Sequence, residues 1–141
     1  MGDGRTLLRG EPDGRYGLIA LDAFSSDAIP IHLLTREAVE LYKRKLRPGG
    51  VLAFHISNKY LALEPVLGNI GRAAGLACFG QADEKVGSKL VEKYPSHWVA
   101  MARSERDLGR VRSDARWHRC ASEADARPWT DDYANVVGAF R

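Results

Sequence analysis

Two carboxylates frame the most chemically suggestive stretch of the chain, LDAFSSDAIPIH at residues 21–32. Asp22 closes an apolar run that begins at Tyr16; Asp27 follows after two serines, with Pro30 and His32 beyond. A carboxylate at the tip of a buried strand suits a cationic guest. The plainer readings are that Asp22 caps a loop and that Asp27 forms an N-cap or Asx-turn. Ser25 and Ser26 lack the G-x-S-x-G surroundings of an esterase nucleophile. His32 reads as a loop residue ahead of a helix. His55, inside an apolar strand, reads first as a hydrogen-bonded core histidine. Asn58, at the end of that strand, is better placed to touch a ligand.

These residues need a scaffold, and the pattern supplies one. YGLIALDA (16–23) is apolar without alternation, as a strand covered on both faces is. Thr35 can cap a helix running to about Leu46, with Leu34, Ala38, Leu41, Tyr42 and Leu46 on one side and Pro48-Gly49-Gly50 as its stop. VLAFHISN (51–58) is a second buried strand. A second helix is expected from near Ala62 to Gly75, with Pro65 in its first turn. LACFGQA (76–82) and HWVAMAR (97–103) are further strands, with polar DEKVGSK between them as a loop. NVVGAF (135–140) reads as a last short strand, while residues 104–130 are polar and show no clear period. Residues 5–9 could be a short helix or a turn. Strand, helix, strand, helix, strand is the rhythm of an α/β layer fold. Right-handed crossovers would place helices on the faces of a mostly parallel sheet. Ligands in such sheets lie beyond the carboxyl ends of the strands, where Asp22 and the HISN segment fall.

The totals fit one domain over residues 1–141. With 45% apolar and 28% charged residues the chain is ordinary for a soluble protein. Its net charge of +3, from 21 Lys+Arg against 18 Asp+Glu, is too small to argue for nucleic acid, and no basic stripe is interleaved with aromatics. Cys78 and Cys120 form no CxxC pair and have no zinc-ligand spacing. They read as two reduced thiols in a cytoplasmic protein without a metal. No apolar run approaches the ~20 residues of a membrane span, and MGDGRTLLRGEPDG has no signal-peptide core.

GDGR (2–5), YGLIALDAFSSDAIP (16–30), LRPGGVLAFHISN (46–58) and PWTDDYANV (128–136) together resemble the spermidine synthase-like group. These are aminopropyltransferase relatives with the Rossmann-like fold of S-adenosylmethionine-dependent methyltransferases. The resemblance is nearest to a bacterial branch often joined to a transporter-like membrane segment. It runs over nearly the whole chain, and DAFSSDAIP with WTDDY is its most specific part. It implies aminopropyl transfer from decarboxylated S-adenosylmethionine to a diamine such as putrescine, in polyamine biosynthesis. Methyl transfer from S-adenosylmethionine to a small molecule, or a non-catalytic oligomerising remnant, are the alternatives. In that family an acidic residue of the GD element holds the adenine amino group. Here it would be Asp3, with the Gly4 backbone near the ring; helix capping is the other reading of Asp3. Asp22 matches the family's catalytic aspartate at the strand end, which binds the attacking amine and helps to remove its proton. Asp27 is the candidate second carboxylate, although D-A-F-S-S-D replaces the family's D-S-S-D. Asp131, Asp132 and Tyr133 could close the substrate side of the cleft, or form a turn. Trp98, Trp117 and Trp129 read as packing residues.

The glycine-rich turn that precedes the GD element in this family has no counterpart, so the resemblance covers the C-terminal part of the domain. In the full sheet order, 3-2-1-4-5-7-6 with an antiparallel last strand, the strand at residues 16–22 is the fourth and pairs with the first. Left as an edge, it would be a template for pairing. A homo-oligomer through that edge is therefore expected, together with weak or undetectable binding of S-adenosylmethionine and its decarboxylated form.

Overall fold

The computed structural model describes residues 3–22, 29–84 and 95–141. Asp27, Ser25, Ser26 and most of the DEKVGSK loop lie outside them. The elements run α1 (Gly4–Arg9), β1 (Tyr16–Leu21), α2 (Arg36–Lys45), β2 (Leu46–His55), α3 (Leu63–Ala73), β3 (Ala77–Asp83), β4 (Ser96–Ala102), α4 (Arg110–Ser113) and β5 (His118–Arg119).

The helices begin where capping chemistry allows. The Thr35 hydroxyl accepts the Ala38 N–H at 3.2 Å and starts α2. Pro65 sits in the first turn of α3, where its missing N–H costs nothing. Pro48-Gly49-Gly50 does not end α2, which passes directly into β2 at Leu46. These residues instead form a bulge in β2, between the pairs Tyr16–Leu46 and Leu18–Val51. Gly49 has φ +78°, and a Cβ on Gly50 would stand 2.9 Å from the Arg47 carbonyl oxygen.

The sheet order is β1-β2-β4-β3-β5. Only β1 and β2 pair in parallel; β2–β4, β4–β3 and β3–β5 are antiparallel. The sheet is thus mixed and mostly antiparallel in its pairings, which corrects the expectation of a mostly parallel one. The cause is the placement of β4, which runs backwards between β2 and β3. An apolar run carries no mark of its direction, so the reversal leaves no trace in the pattern of HWVAMAR.

Register shows what each face carries. Leu52, Met101 and Cys78 align across three strands, as do Ala53, Ala100 and Phe79 on the other face. The main core holds Leu52, Phe54, Val99 and Met101 together with Ala38, Val39 and Tyr42 of α2 and Leu63, Leu67 and Ile70 of α3. Both crossover helices therefore share one face. The second cluster joins Phe79, Ala100 and Ala102 to Leu108, Val111 and Trp117. The opposite face thus carries the 3-10 turn Glu105–Leu108 and the single turn of α4, where helices on both faces were expected. Towards β1 none of the described elements covers this face, and Leu18 is 60% exposed.

Two further expectations change. Residues 135–140 form no strand. The Asn135 side chain accepts the Gly138 N–H at 2.9 Å, Val137–Ala139 is a 3-10 turn, and Phe140 makes one isolated bridge to Leu61. Cys78 and Cys120 are joined in a disulfide, which corrects the reading of two reduced thiols and removes the ground for expecting a reducing compartment. Among the described residues, no helix is long and apolar enough to cross a membrane.

Candidate active site

Parallel register builds the site at the strand tips. Leu21 lies beside Phe54, so the next residues, Asp22 and His55, come side by side. Asp22 Oδ1 is 2.7 Å from His55 Nδ1. His55 Nε2 is 2.8 Å from Ser57 Oγ, and Ser57 Oγ accepts the His97 backbone N–H at 2.9 Å. The His55 ring stacks on Trp98, with centroids 4.7 Å apart and planes 23° apart. The Asp22 side chain is 64% exposed, that of His55 only 20%. The result is a carboxylate held from one side by an imidazole and open to solvent on the other. Sequence reading left His55 as a core histidine and did not single out Ser57. The signal was there: YGLIALD and VLAFH each end in a polar residue, and a parallel pair puts those two residues at one level.

The other sequence-derived residues are placed as follows. Asp3 is the N-cap of α1, accepting the Arg5 N–H at 3.1 Å, and its Oδ2 lies 3.2 Å from His32 Nε2. The Arg5 bond is the largest influence lowering its pKa. A Cβ on Gly4 would meet nothing within 4 Å. Asn58 Oδ1 accepts the N–H groups of Tyr60 and Leu61, an Asx-type turn leading into α3. Asp131 takes a bidentate pair from the buried Arg5 guanidinium, at 2.8 and 2.7 Å, and the Thr35 hydroxyl at 2.7 Å. Arg5 hydrogen bonding dominates and holds the Asp131 pKa at about 2. Arg5 also donates to the His32 carbonyl, so this cluster ties the N-terminus to the start of α2. Asp132 is exposed. Tyr133 lies under Arg127, 4.2 Å from guanidinium to ring centroid. Among the described residues, no hydrogen bond or ion pair links Asp22 to Asp3 or to residues 131–133.

Tyr133 instead lines a cleft of about 430 Å³ beside α3, with Val66, Asn69, Arg127 and Trp129. Asp22 takes no part in it.

A further carboxylate–imidazole centre, which the sequence pattern does not announce, surrounds Glu64. Glu64, 6% exposed, meets His97 Nε2 at 2.6 Å and His118 Nε2 at 2.7 Å. It also accepts the Ala121 N–H at 3.1 Å. Its carboxyl group lies over Gly80, where a Cβ would come within 2.7 Å. Burial is the largest single influence on Glu64 and would raise its pKa. The hydrogen bonds from His97, Ala121 and His118 together outweigh it and hold the group at about 2. Among the described residues, no group of three or more His, Cys, Asp or Glu is placed to hold a metal ion.

No family model matches the chain, and no curated protein matches it. Among solved structures it is similar to MnmC2 from Aquifex aeolicus, at 15% identity and a TM-score of 0.48. That likeness covers 90% of this chain and 39% of the other, so the chain spans well under half the length of that structure.

Proposed function

We propose that the described residues form the amine-binding side of a spermidine synthase-like group-transfer site, on a sheet of the methyltransferase type. The observation that carries this reading is the Asp22 carboxylate, exposed at the tip of the parallel pair and held in place by His55. An amine is cationic until it loses a proton. Asp22 would bind the ammonium form and accept that proton as the nitrogen becomes nucleophilic. Strand order supports the fold reading. With β1 counted as the fourth strand, β1-β2-β4-β3 reproduces the 4-5-7-6 end of the order implied by the resemblance, including its antiparallel strand.

The donor side does not fit equally well. Both oxygens of Asp3 already have a partner, Arg5 and His32, so an adenine amino group would have to share an oxygen with one of them. S-adenosylmethionine and its decarboxylated form are expected to bind weakly or not at all. Calorimetric titration giving micromolar affinity for either would overturn that. Methyl transfer to a small molecule is the competing use of the same scaffold. It predicts a methylated product and no dependence on a diamine.

Putrescine titrated into the full chain tests the reading. Binding that falls at least roughly tenfold in Asp22→Asn is the expected result, since a charge-assisted contact is worth about that factor. Equal binding by both proteins would remove Asp22 from the proposal.

We also infer that the chain self-associates through the outer edge of β1. Among the described residues β1 pairs with β2 alone, and an unpaired edge beside exposed Leu18 is a template for another strand. Light scattering that shows a monomer at high concentration would count against this.

A further inference from the structure

Ser57 and Asp22 stand at the two nitrogens of His55, and together they favour one tautomer of its ring. Ser57 Oγ accepts the His97 backbone N–H, which leaves its own hydrogen free to point at His55 Nε2, 2.8 Å away. A nitrogen that accepts carries no proton, and in a neutral imidazole the proton then sits on the other nitrogen. That nitrogen is Nδ1, facing Asp22 Oδ1 at 2.7 Å. The donors thus all run one way: His97 N–H to Ser57, Ser57 O–H to His55, His55 Nδ1–H to Asp22. The starting donor is a backbone amide in β4, which cannot reverse its role. The opposite tautomer would set a lone pair of Nδ1 against the Asp22 carboxylate and leave Ser57 accepting from two sides. Stacking on Trp98 fixes the plane of the ring.

We propose that His55 and Ser57 are positioning residues for Asp22. They form a one-directional hydrogen-bond relay that engages Oδ1 and holds the rest of the carboxylate towards the open end of the sheet, ready for an ammonium group. The relay stands on its own geometry; that its recipient is an amine rests on the function proposed above. Ser57 orients His55, and His55 orients Asp22, so neither needs to touch the substrate. A residue that only filled space would not select one tautomer.

The test uses the full chain labelled with ¹⁵N, in which long-range proton–nitrogen spectra report the tautomer of His55 at a pH where the ring is neutral. The expected result is the Nδ1–H form in the wild type and a majority Nε2–H form in the double variant Asp22→Ala/Ser57→Ala. An Nε2–H form in the wild type, or no change of tautomer in the double variant, overturns the relay. Putrescine affinity gives the second reading. His55→Asn keeps an N–H donor near Asp22 and is expected within about threefold of the wild type, while His55→Ala loses roughly tenfold, the factor a hydrogen bond to a charged group provides. Equal losses in both variants also overturn it. An Nδ1–H tautomer with no diamine response in any protein upholds the relay and sinks the amine reading. An Nε2–H tautomer with a normal diamine response does the reverse.

Discussion

Among the places where a carboxylate meets an imidazole, two corners of the molecule put that pair to opposite ends. At α3, Glu64 is buried and accepts from His97, His118 and the Ala121 amide. At the strand tips, Asp22 is largely exposed and accepts from His55. A buried carboxylate with both oxygens engaged offers little to a ligand; an exposed one with a single partner among the described residues offers a free oxygen. The surroundings differ in the same sense. The Glu64 corner is stapled by Cys78–Cys120 and sealed by Ala121, whose carbonyl leaves no room for a Cβ on Gly68. The Asp22 corner lies on the face that short elements cover only in part. The pair itself does not mark a site; the number of partners and the access of water do.

The largest expected effect would break the closed corner. Replacing Cys78 and Cys120 by serine opens a link between residues 42 apart in sequence. The loop-entropy relation puts the loss at about 4 kcal/mol, read as a lower urea midpoint. Next comes Glu64→Ala, which leaves two imidazoles and an amide facing a void. We expect it to cost about 2–4 kcal/mol, again by urea denaturation. Acid acts on the same group. Its pKa falls from 4.5 in the unfolded chain to about 2 in the fold. A depressed carboxylate contributes stability that is complete above the unfolded value and is lost as pH drops towards the folded one. Melting temperature should therefore decline between about pH 4.5 and 2, and Glu64→Gln should flatten part of that decline. Smallest in stability is Asp22→Asn, expected within about 0.5 kcal/mol of the wild type. Its whole effect should fall on ligand binding, and a large loss of stability would place Asp22 with Glu64 as a structural carboxylate.

What could be read ahead of the structure was local. Thr35 as a cap, Pro65 in a first turn and the apolar runs of β1 to β4 depend on neighbouring residues, so the sequence shows them directly. What could not be read depends on partners far along the chain. The Cys78–Cys120 bond requires β5 to lie beside β3, and the polar stretch at residues 104–130 gives no sign that it will. The direction of β4 is invisible in a run of apolar residues. The Arg5–Asp131 pair spans nearly the whole chain. His55 is hydrogen-bonded, as the sequence suggests, but an apolar run implies burial on both faces and its own face is only partly covered. Residues 135–140 misled in the other direction: apolar enough for a strand, but with Asn135 and Gly138 placed to make a turn.

The most direct measurement is the diamine titration of the wild type beside Asp22→Asn, with Glu64→Gln as the comparison from the closed corner. We expect putrescine to bind the wild type and Glu64→Gln alike and to lose at least roughly tenfold in affinity for Asp22→Asn. Undiminished binding by Asp22→Asn, or a loss confined to Glu64→Gln, would contradict the assignment of the open corner as the one that takes a ligand.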